Sequence, residues 1–400
     1  MPDRRCLHLR LQALPWLTVG LAMAACAPAA DSAAPGTGTD IDPAPALAAA
    51  DQPGPYAVGA TTLTLDDPRG GSLVVEVWYP AIDPGTGPDP YPEIAVVGQA
   101  FRDAEPDPRA RALPVVAFSH GFGGVRYQSA FLTEHLASHG LVVVAPDHRH
   151  HTLFDLDPAE TGRALVERPG ELSRAVDALA SWPPAATLAD PSAVVVVGHS
   201  FGALTALIAG GGALDLAAGQ AWCDETPTAG CAFFDDTTLG DPAVAQPDPR
   251  AVGAAVLAPG GWYAFGEDGL AGLVPSLGIA GTADGDLPYD TEGRPTLDRL
   301  PAPSTRTSLL DAGHWAFTDL CALIPGLADC AGAAGGFMEP TRVQAVTRVL
   351  VTAFAQHQLR GPDDRWTPWL DPAAWPDPDV TVEGARRAAA APVAPPALAD

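Results

Sequence analysis

The stretch that decides the fold is residues 194–210, VVVVGHSFGALTALIAG. Four consecutive valines predict a buried β-strand, and the alanine-rich run after Gly202 predicts a helix. Between them Ser200 stands in a G-x-S-x-G pattern, flanked by Gly198 and Gly202. Because glycine has no Cβ atom to block a sharp bend, the pattern predicts a strand–turn–helix unit with the serine hydroxyl exposed at the strand end. The alternative interpretation is an ordinary β–α turn with a helix-capping serine.

Strands and helices alternate around this unit. LPVVAFSH (113–120) and LVVVAPDH (141–148) are short apolar runs typical of buried parallel strands. The same reasoning predicts a helix between them, helices at 171–182, 203–209 and 341–359, and strands at 193–198, 252–258 and 275–281. The alternation predicts an α/β fold with a doubly wound, mainly parallel sheet. YAVGATTLTL (56–65) and SLVVEVWYPA (72–81) predict an antiparallel hairpin at its start.

The first 25 residues predict an export signal. Three arginines within the first ten residues precede an apolar stretch, LQALPWLTVGLAMAA, which is shorter than a transmembrane span requires. LAMAAC resembles the lipobox of bacterial lipoproteins, in which the cysteine is lipidated, although Met23 replaces the usual leucine. We therefore expect Cys26 to be lipidated and to anchor the protein to the bacterial cell envelope. Cleavage after Ala24 and release as a soluble exported protein is the alternative.

Composition divides the rest of the chain into a tether, one domain and a tail. Residues 26–55 are rich in Ala, Pro, Gly and Asp, which predicts a disordered tether. Residues 56–376 are expected to form a single domain. Within it, residues 211–250 are too long for a plain connection and predict an insertion over one end of the sheet. Residues 377–400 are expected to form a C-terminal extension that is partly disordered.

The net charge of −26 restricts the possible partners. An acidic chain repels the phosphates of nucleic acids and anionic lipid head groups. We therefore expect no nucleic-acid partner, and contact with the membrane only through the lipid at Cys26. The oligomeric state stays open.

The cysteines predict two disulfides. Of the six, one lies in the predicted signal and Cys26 is the lipidation position, which leaves Cys223, Cys231, Cys321 and Cys330. An even number in an exported chain suggests disulfides, and although three connectivities are possible, the short separations favour Cys223–Cys231 and Cys321–Cys330. The alternative is four buried free thiols. No C-x-x-C pair is present, so a metal site is not expected.

Three residues in the chain order serine, acid, histidine point to nucleophilic catalysis. A serine hydroxyl needs a base within hydrogen-bonding reach, and the base needs a carboxylate to orient it. Asp284 follows the predicted strand PSLGIAG, and Asp286 is the alternative acid. His314 lies in LLDAGHWAFTDL, after another apolar run. We predict Ser200 as nucleophile, Asp284 as acid and His314 as base.

The glycine-rich segment FSHGFGG (118–124), which we call the oxyanion turn, follows an earlier strand. A tetrahedral intermediate needs N–H donors aimed at its oxyanion, and we assign the backbone N–H groups of Phe122 and Phe201 to this role. A bare turn is the alternative. His120 and His199 flank the two turns and are expected to brace them.

Two other clusters have competing interpretations. DHRHH (147–151) is rich in metal ligands, but its position after a strand favours a hydrogen-bonded loop. Trp262, Tyr263 and Phe265 follow a strand end and either line an acyl pocket or pack in the core. We expect neither a metal nor a cofactor.

Five segments resemble a known family: FSHGFGG, LASHGLVVVAPDHR, ERPGELSRAVDALA, GHSFG and the H-W-A-F-T-D run. They resemble the serine esterases of the platelet-activating-factor acetylhydrolase group and their bacterial relatives, labelled predicted dienelactone hydrolases, over most of residues 56–375. The resemblance implies an α/β-hydrolase fold and cleavage of carboxylic esters by Ser200, Asp284 and His314 without a cofactor. In the mammalian phospholipid enzymes, however, the acid follows the strand that here ends VLAPGGW, where no carboxylate stands. A true dienelactone hydrolase has a cysteine where this chain has Ser200.

These features predict an exported serine hydrolase that cleaves carboxylic esters through an acyl-enzyme. Because no long apolar lid segment is present, we expect short or medium acyl chains on a small-molecule or lipid ester. The alternatives are a catalytically silent, envelope-tethered binding protein with the same fold, and an acyltransferase that uses the same residues.

Overall fold

The structure, a computed structural model, describes residues 44–91, 98–235, 238–375 and 377–385. The predicted signal peptide, Cys26, the first part of the predicted tether and the last residues of the predicted tail lie outside these ranges. Within the described ranges, no helix combines the length and the apolar character needed to cross a membrane.

Ten strands among the described residues form one mixed sheet. They are β1 (Ala57–Asp66), β2 (Ser72–Ala81), β3 (Ala100–Arg102), β4 (Leu113–Ser119), β5 (Val142–Pro146), β6 (Ala189–His199), β7 (Ala251–Leu257), β8 (Ser276–Gly281), β9 (Ser304–Leu309) and β10 (Val380–Ala385). Their order across the sheet is β10-β9-β8-β7-β6-β4-β5-β2-β1-β3. Strands β4 to β9 pair in parallel, whereas β1–β2, β2–β5 and β9–β10 are antiparallel. The predicted α/β fold, with a mainly parallel sheet and an opening antiparallel hairpin, is confirmed.

Helices cover both faces of the sheet. Within the described residues they are α1 (Ala44–Ala50), α2 (Ala130–Ser138), α3 (Arg163–Asp177), α4 (Ala185–Leu188), α5 (Phe201–Ala209), α6 (Leu216–Glu225), α7 (Arg294–Arg299), α8 (Leu320–Leu323) and α9 (Pro340–Arg360). Helices α3 and α5 bury their apolar residues in one core cluster, and α2 and α9 bury theirs in another. The valines of β6 alternate between the clusters, with Val194 and Val196 in the first and Val195 and Val197 in the second. Burial on both faces explains why this strand is continuously apolar.

The described domain extends beyond its predicted boundaries at both ends. Helix α1 lies inside the predicted tether, and Asp51 just after it pairs with Arg348 of α9 at 2.6 Å. At the other end, β10 adds a strand beyond residue 376 and pairs with β9. The disordered assignment of residues 44–55 was therefore wrong. These ends are poor in core-forming residues, and contacts with α9 and β9 supply the stabilisation that their own composition lacks.

Helix α3 also differs from its predicted position. It begins at Arg163 rather than Glu171 and continues through Pro169. Proline removes one backbone donor and usually interrupts a helix, which is why the sequence favoured a later start. The longer helix places Arg168 and Glu171 on a buried face next to the sheet.

Both predicted disulfides are present. Cys223–Cys231 joins α6 to a 3-10 turn at Ala229–Phe234, within the insertion 211–250. Cys321–Cys330 joins α8 to the segment Ala328–Gly335. Each disulfide closes a short loop. Phe233 and Asp329, which reach the candidate site, lie next to these loops or within them.

Candidate active site

Ser200 lies on a sharp turn between β6 and α5. Its backbone angles, φ 57° and ψ −123°, are costly for a non-glycine residue, about 1–3 kcal/mol. A different contact excludes a side chain at each of the two flanking glycines. A Cβ atom on Gly198 would collide with the carbonyl of Gly202 across the turn, and one on Gly202 would collide with the carbonyl of Ser119 on the neighbouring strand. The turn is therefore tight within itself and is also packed against the end of β4.

His314 lies on the loop after β9, with its Nε2 atom 2.9 Å from Ser200 Oγ. Two contacts hold this loop in place. His199 donates from Nε2 to the carbonyl oxygen of His314 at 3.1 Å, and the N–H of Trp315 donates to Asp329 Oδ2 at 2.6 Å. Since Asp329 precedes Cys330, the second disulfide fixes the segment that supports the histidine.

Asp284 follows β8 and accepts a hydrogen bond from His314 Nδ1 at 2.7 Å. Its other oxygen accepts from the N–H groups of Asp286 and Leu287, at 3.0 and 2.7 Å. Asp286, the alternative acid, is exposed and contributes its backbone to Asp284. The structure thus brings together three of the predicted residues: Ser200, His314 and Asp284. We call this set the outer triad.

The electrostatic surroundings of His314 favour its protonated form. Burial is the largest single influence and lowers the pKa of this imidazole, but the neighbouring carboxylates, chiefly Asp284, together raise the pKa of His314 above its usual value of 6.5. The carboxylates of Asp286 and Asp329 act in the same direction. Such an imidazole stabilises the positive charge that it acquires when it takes a proton from a serine hydroxyl.

The oxyanion turn lies against the serine. A Cβ atom built on Gly121 would lie 3.4 Å from Ser200 Cβ, so this backbone passes within contact distance of the nucleophile. Among the described residues, no protein atom accepts a hydrogen bond from the Phe122 N–H. Phe201 is the first residue of α5, and its N–H has no acceptor within the helix. Both N–H groups assigned from the sequence are therefore available at the site.

Buried polar groups hold the oxyanion turn from behind. The N–H of His148 donates to His120 Nε2 at 3.0 Å, so this nitrogen carries no proton and the proton lies on Nδ1. His120 Nδ1 then donates to the carbonyl oxygen of Gly121 at 2.6 Å. That carbonyl belongs to the same peptide unit as the Phe122 N–H. Burial, followed by the charge of Arg168, lowers the pKa of His120 far below 6.5, so the imidazole stays neutral.

Arg168 places a positive charge beneath the turn. The side chain is fully buried, donates from Nη2 to the carbonyl oxygen of His120 at 2.6 Å, and lies 5.1 Å from the centre of the Phe201 ring. Burial lowers the pKa of Arg168 to about 9, so the guanidinium is still charged at neutral pH. A fixed cation behind the donor peptides favours the development of negative charge in front of them.

A second serine–histidine–carboxylate set lies next to these groups. Its serine Oγ is 2.9 Å from the histidine Nε2, and its histidine Nδ1 is 2.8 Å from the carboxylate. All three side chains are buried, with exposed fractions of 2% or less. We call this set the inner triad: Ser119, His148 and Glu171. It engages both ring nitrogens of His148, in agreement with the interpretation of residues 147–151 as a hydrogen-bonded loop.

Aromatic rings cover the side of the site near the oxyanion turn. The ring of Phe233, from the insertion, lies 5.0 Å from that of Phe122 and 4.3 Å from that of Phe201. Tyr263 is buried and stacks on Trp222 of α6 at 3.8 Å. The aromatic residues after β7 therefore pack against the insertion, and the ring that contacts those of Phe122 and Phe201 is Phe233, which the sequence did not single out.

Two carboxylates near the site were missed by sequence reasoning. Asp329 supports the His314 loop, as described above. Glu292 lies after β8 in sequence, but its Oε2 accepts from the N–H of Gly261 at 2.8 Å, just beyond the end of β7. Burial, with the charge of Asp284, raises the pKa of Glu292. No local motif marks either residue, since each acts on a loop distant in sequence.

One group of potential metal ligands occurs among the described residues. The ligand atoms of Asp284, Asp286 and His314 lie within 4.8 Å of one another. Both ring nitrogens of His314, however, already make hydrogen bonds, to Asp284 and Ser200. The arrangement is suited to proton transfer from the serine.

Comparison with known protein families identifies one similar family. Residues 96–154 match the sequence model of the family described as platelet-activating factor acetylhydrolase, isoform II. The match includes the oxyanion turn and the loop after β5. No curated protein sequence matches the chain significantly.

The fold is similar to that of a solved esterase. The structure titled ferulic acid esterase from Streptomyces cinnamoneus superposes with a TM-score of 0.58 at 23% sequence identity, covering 82% of this chain and 96% of that one. At this identity the likeness shows a shared fold. The two comparisons thus show a fold shared with a solved esterase and a sequence similarity, over residues 96–154, to the platelet-activating factor acetylhydrolase family.

Proposed function

We propose that this protein is a serine carboxylic-ester hydrolase that works through an acyl-enzyme at the outer triad. The observation that carries the proposal is the continuous hydrogen-bonded path from Ser200 Oγ through His314 to Asp284, with distances of 2.9 and 2.7 Å. It ends at a partly exposed serine on a strained turn. Geometry of this kind activates a hydroxyl that is otherwise a poor nucleophile.

In the acylation step, Ser200 Oγ attacks the ester carbonyl carbon while His314 Nε2 takes the hydroxyl proton. The carbonyl oxygen becomes an oxyanion that accepts hydrogen bonds from the N–H groups of Phe122 and Phe201. When the intermediate collapses, the bond to the leaving alkoxide breaks, and His314 returns the proton to it. The products of this step are a free alcohol and an acyl-Ser200 ester.

In the deacylation step, a water molecule replaces the alcohol. His314 takes a proton from the water, the resulting hydroxide attacks the acyl carbon, and Ser200 leaves as the alkoxide and regains a proton from the imidazolium. Asp284 keeps the proton of the neutral imidazole on Nδ1, which leaves Nε2 free to act as base in both steps.

The substrates we propose are esters of short or medium acyl chains. The rings of Phe122, Phe201 and Phe233 pack together beside the proposed oxyanion donors, and this apolar surface supports an apolar acyl group. The similar solved structure is titled a ferulic acid esterase, which makes an ester of an aromatic acid a useful test compound.

The test is hydrolysis of nitrophenyl esters of graded chain length, together with a feruloyl ester, by wild type and by Ser200→Ala. We expect wild-type turnover that is highest for short or medium chains and is lost in the variant. A fluorophosphonate probe should label Ser200 of the wild type. Equal turnover by the two proteins would remove Ser200 from the mechanism, and an unlabelled, inactive wild type would favour the silent binding protein.

We also propose that the enzyme is a lipoprotein of the bacterial cell envelope, anchored through Cys26. The supporting feature is the lipobox-like sequence LAMAAC at the end of an apolar stretch that follows three arginines. Radiolabelled fatty acid should be incorporated by the wild type and not by Cys26→Ser. Release of unlabelled wild-type protein into the medium would instead indicate soluble export.

A further inference from the structure

The side chain of Gln128 lies between the two halves of the candidate site. Its Oε1 accepts a hydrogen bond from the N–H of Gly121, in the oxyanion turn, at 3.1 Å. Its Nε2 lies 3.0 Å from His199 Nδ1. His199 in turn donates from Nε2 to the carbonyl oxygen of His314 at 3.1 Å. Three hydrogen bonds therefore connect the oxyanion turn, through Gln128 and His199, to His314.

Each of these three hydrogen bonds can have only one direction. A backbone N–H only donates, so the Gly121 end requires the oxygen of the Gln128 carboxamide. A carbonyl oxygen only accepts, so the His314 end requires the proton of His199 on Nε2. His199 Nδ1 is then an unprotonated acceptor, and only the NH2 group of Gln128 can supply its hydrogen bond. The carboxamide of glutamine offers an acceptor to one partner and a donor to the other.

The imidazole of His199 is held in this neutral form. The ring is buried, with 1% of its surface exposed, and lies 4.8 Å from the ring of His314. Burial, followed by the charge of His314, lowers the pKa of His199 well below 6.5. The facing polar groups described above, Gln128 and the His314 carbonyl, satisfy both ring nitrogens without a second charge.

We propose that Gln128 is a positioning residue for ester hydrolysis, which holds the oxyanion turn and the catalytic histidine in register through His199. The proposal rests on the proposed function of the outer triad. The side-chain hydrogen bonds of Gln128 go to Gly121 and His199, and neither is a reacting group of the proposed mechanism. It acts because the transition state needs the Phe122 donor and the His314 imidazolium correctly placed at the same moment.

Backbone hydrogen bonds also hold the segment around Gln128. Its backbone N–H donates to the carbonyl oxygen of Val125 at 2.9 Å, and its own carbonyl oxygen accepts from the N–H of Asp319 at 2.8 Å. These backbone bonds retain the turn when the carboxamide is removed. A Cβ atom on Gly124 would collide with the Gln128 carboxamide, which shows how closely the turn is fitted to this side chain. The loss of the side chain should therefore impair catalysis more than folding.

The experiment compares Gln128→Leu with wild type and with a matched control, Gln356→Leu. Gln356 is a buried glutamine of α9 that donates to the carbonyl oxygen of His139 at 3.1 Å, outside the chain of bonds described here. Kinetics with a short nitrophenyl ester and thermal unfolding are measured for each protein. We expect kcat of Gln128→Leu to fall about 10- to 100-fold while KM changes less than about threefold. Gln356→Leu should keep the wild-type kcat, and its Tm should fall by about as much as that of Gln128→Leu.

Gln128→Glu provides a second measurement that does not depend on the leucine variant folding. The carboxylate keeps an acceptor for Gly121 but has no proton to donate to His199, so we expect a kcat between those of wild type and Gln128→Leu. A wild-type kcat in both Gln128 variants, or an equal fall in kcat for Gln356→Leu, would overturn the positioning role. If the wild type itself neither hydrolyses the ester nor reacts with the fluorophosphonate, the proposed function fails, and this inference fails with it.

Discussion

The outer triad and the inner triad have the same hydrogen-bonding pattern but different surroundings. Their serine–histidine distances are both 2.9 Å, and their histidine–carboxylate distances are 2.7 and 2.8 Å. Ser200 is partly exposed on a turn with positive φ, whereas Ser119 is fully buried at the end of a regular strand. The outer histidine has a raised pKa, while burial and the charge of Arg168 lower the pKa of the inner one far below 6.5.

The difference shows that three side chains in the correct order do not by themselves form a reactive site. The outer triad also has access to solvent, a turn that projects the hydroxyl, and two N–H donors in front of it. The inner triad has none of these. The backbone N–H of its histidine, His148, donates to His120, and His120 donates to the carbonyl oxygen of the Gly121–Phe122 peptide. If the proposed function is correct, the same hydrogen-bonding pattern serves once for reaction and once for structural support.

The sharpest test of this contrast replaces each serine by alanine. Ser200→Ala should lower kcat by about 10³-fold or more, because the nucleophile is lost. Ser119→Ala should keep kcat within about tenfold and lower the free energy of unfolding by about 1–3 kcal/mol, because His148 Nε2 loses its buried donor. Ester kinetics and urea unfolding measure the two effects. An activity loss in Ser119→Ala as large as that in Ser200→Ala would end the distinction between the triads.

A second test replaces each carboxylate by its amide. Asp284→Asn should lower kcat by about 10²- to 10⁴-fold. The N–H groups of Asp286 and Leu287 keep the amide oxygen, so the NH2 group faces Nδ1 and no longer holds the His314 proton there. Glu171→Gln still accepts from His148 but loses its ion pair with Arg69, whose Nη2 lies 3.0 Å away. It should therefore mainly reduce stability, with kcat changed less than about tenfold. The outcome that contradicts this is a similar kcat for the two variants.

The pH dependence of activity is a third test, with a smaller expected effect, and it distinguishes His314 from His148. His314 acts as base only when neutral, so kcat/KM should fall about tenfold per pH unit as pH drops below the His314 pKa. Because that pKa is raised, the midpoint should lie above about 6.5. The inner histidine stays neutral in this range and should not contribute. Rates measured from pH 5 to 9 locate the midpoint, and a midpoint well below 6.5 would contradict the raised pKa.

The residues of the outer triad could be located from the sequence because each follows a strand end. The G-x-S-x-G turn, the carboxylate after PSLGIAG and the histidine of the H-W-A-F-T-D run carry local signals. Gln128 had no such signal, since a polar residue just before α2 has the pattern of an ordinary surface position. Glu292 could not be found at its site at all, because it follows β8 in sequence but binds the backbone beyond β7.

The sequence alone indicated the alternation of strands and helices around β6, the sharp turn at Ser200 and the favoured pairing of cysteines close in sequence, because these depend on neighbouring residues and short periodic patterns. Only the tertiary structure decided that residues 44–50 and β10 join the domain, that Ser119, His148 and Glu171 meet in the interior, and that Gln128 reaches both turns. Such contacts join residues far apart in the chain. They form because packing of the two cores against the sheet brings distant loops together and removes water from the polar groups between them.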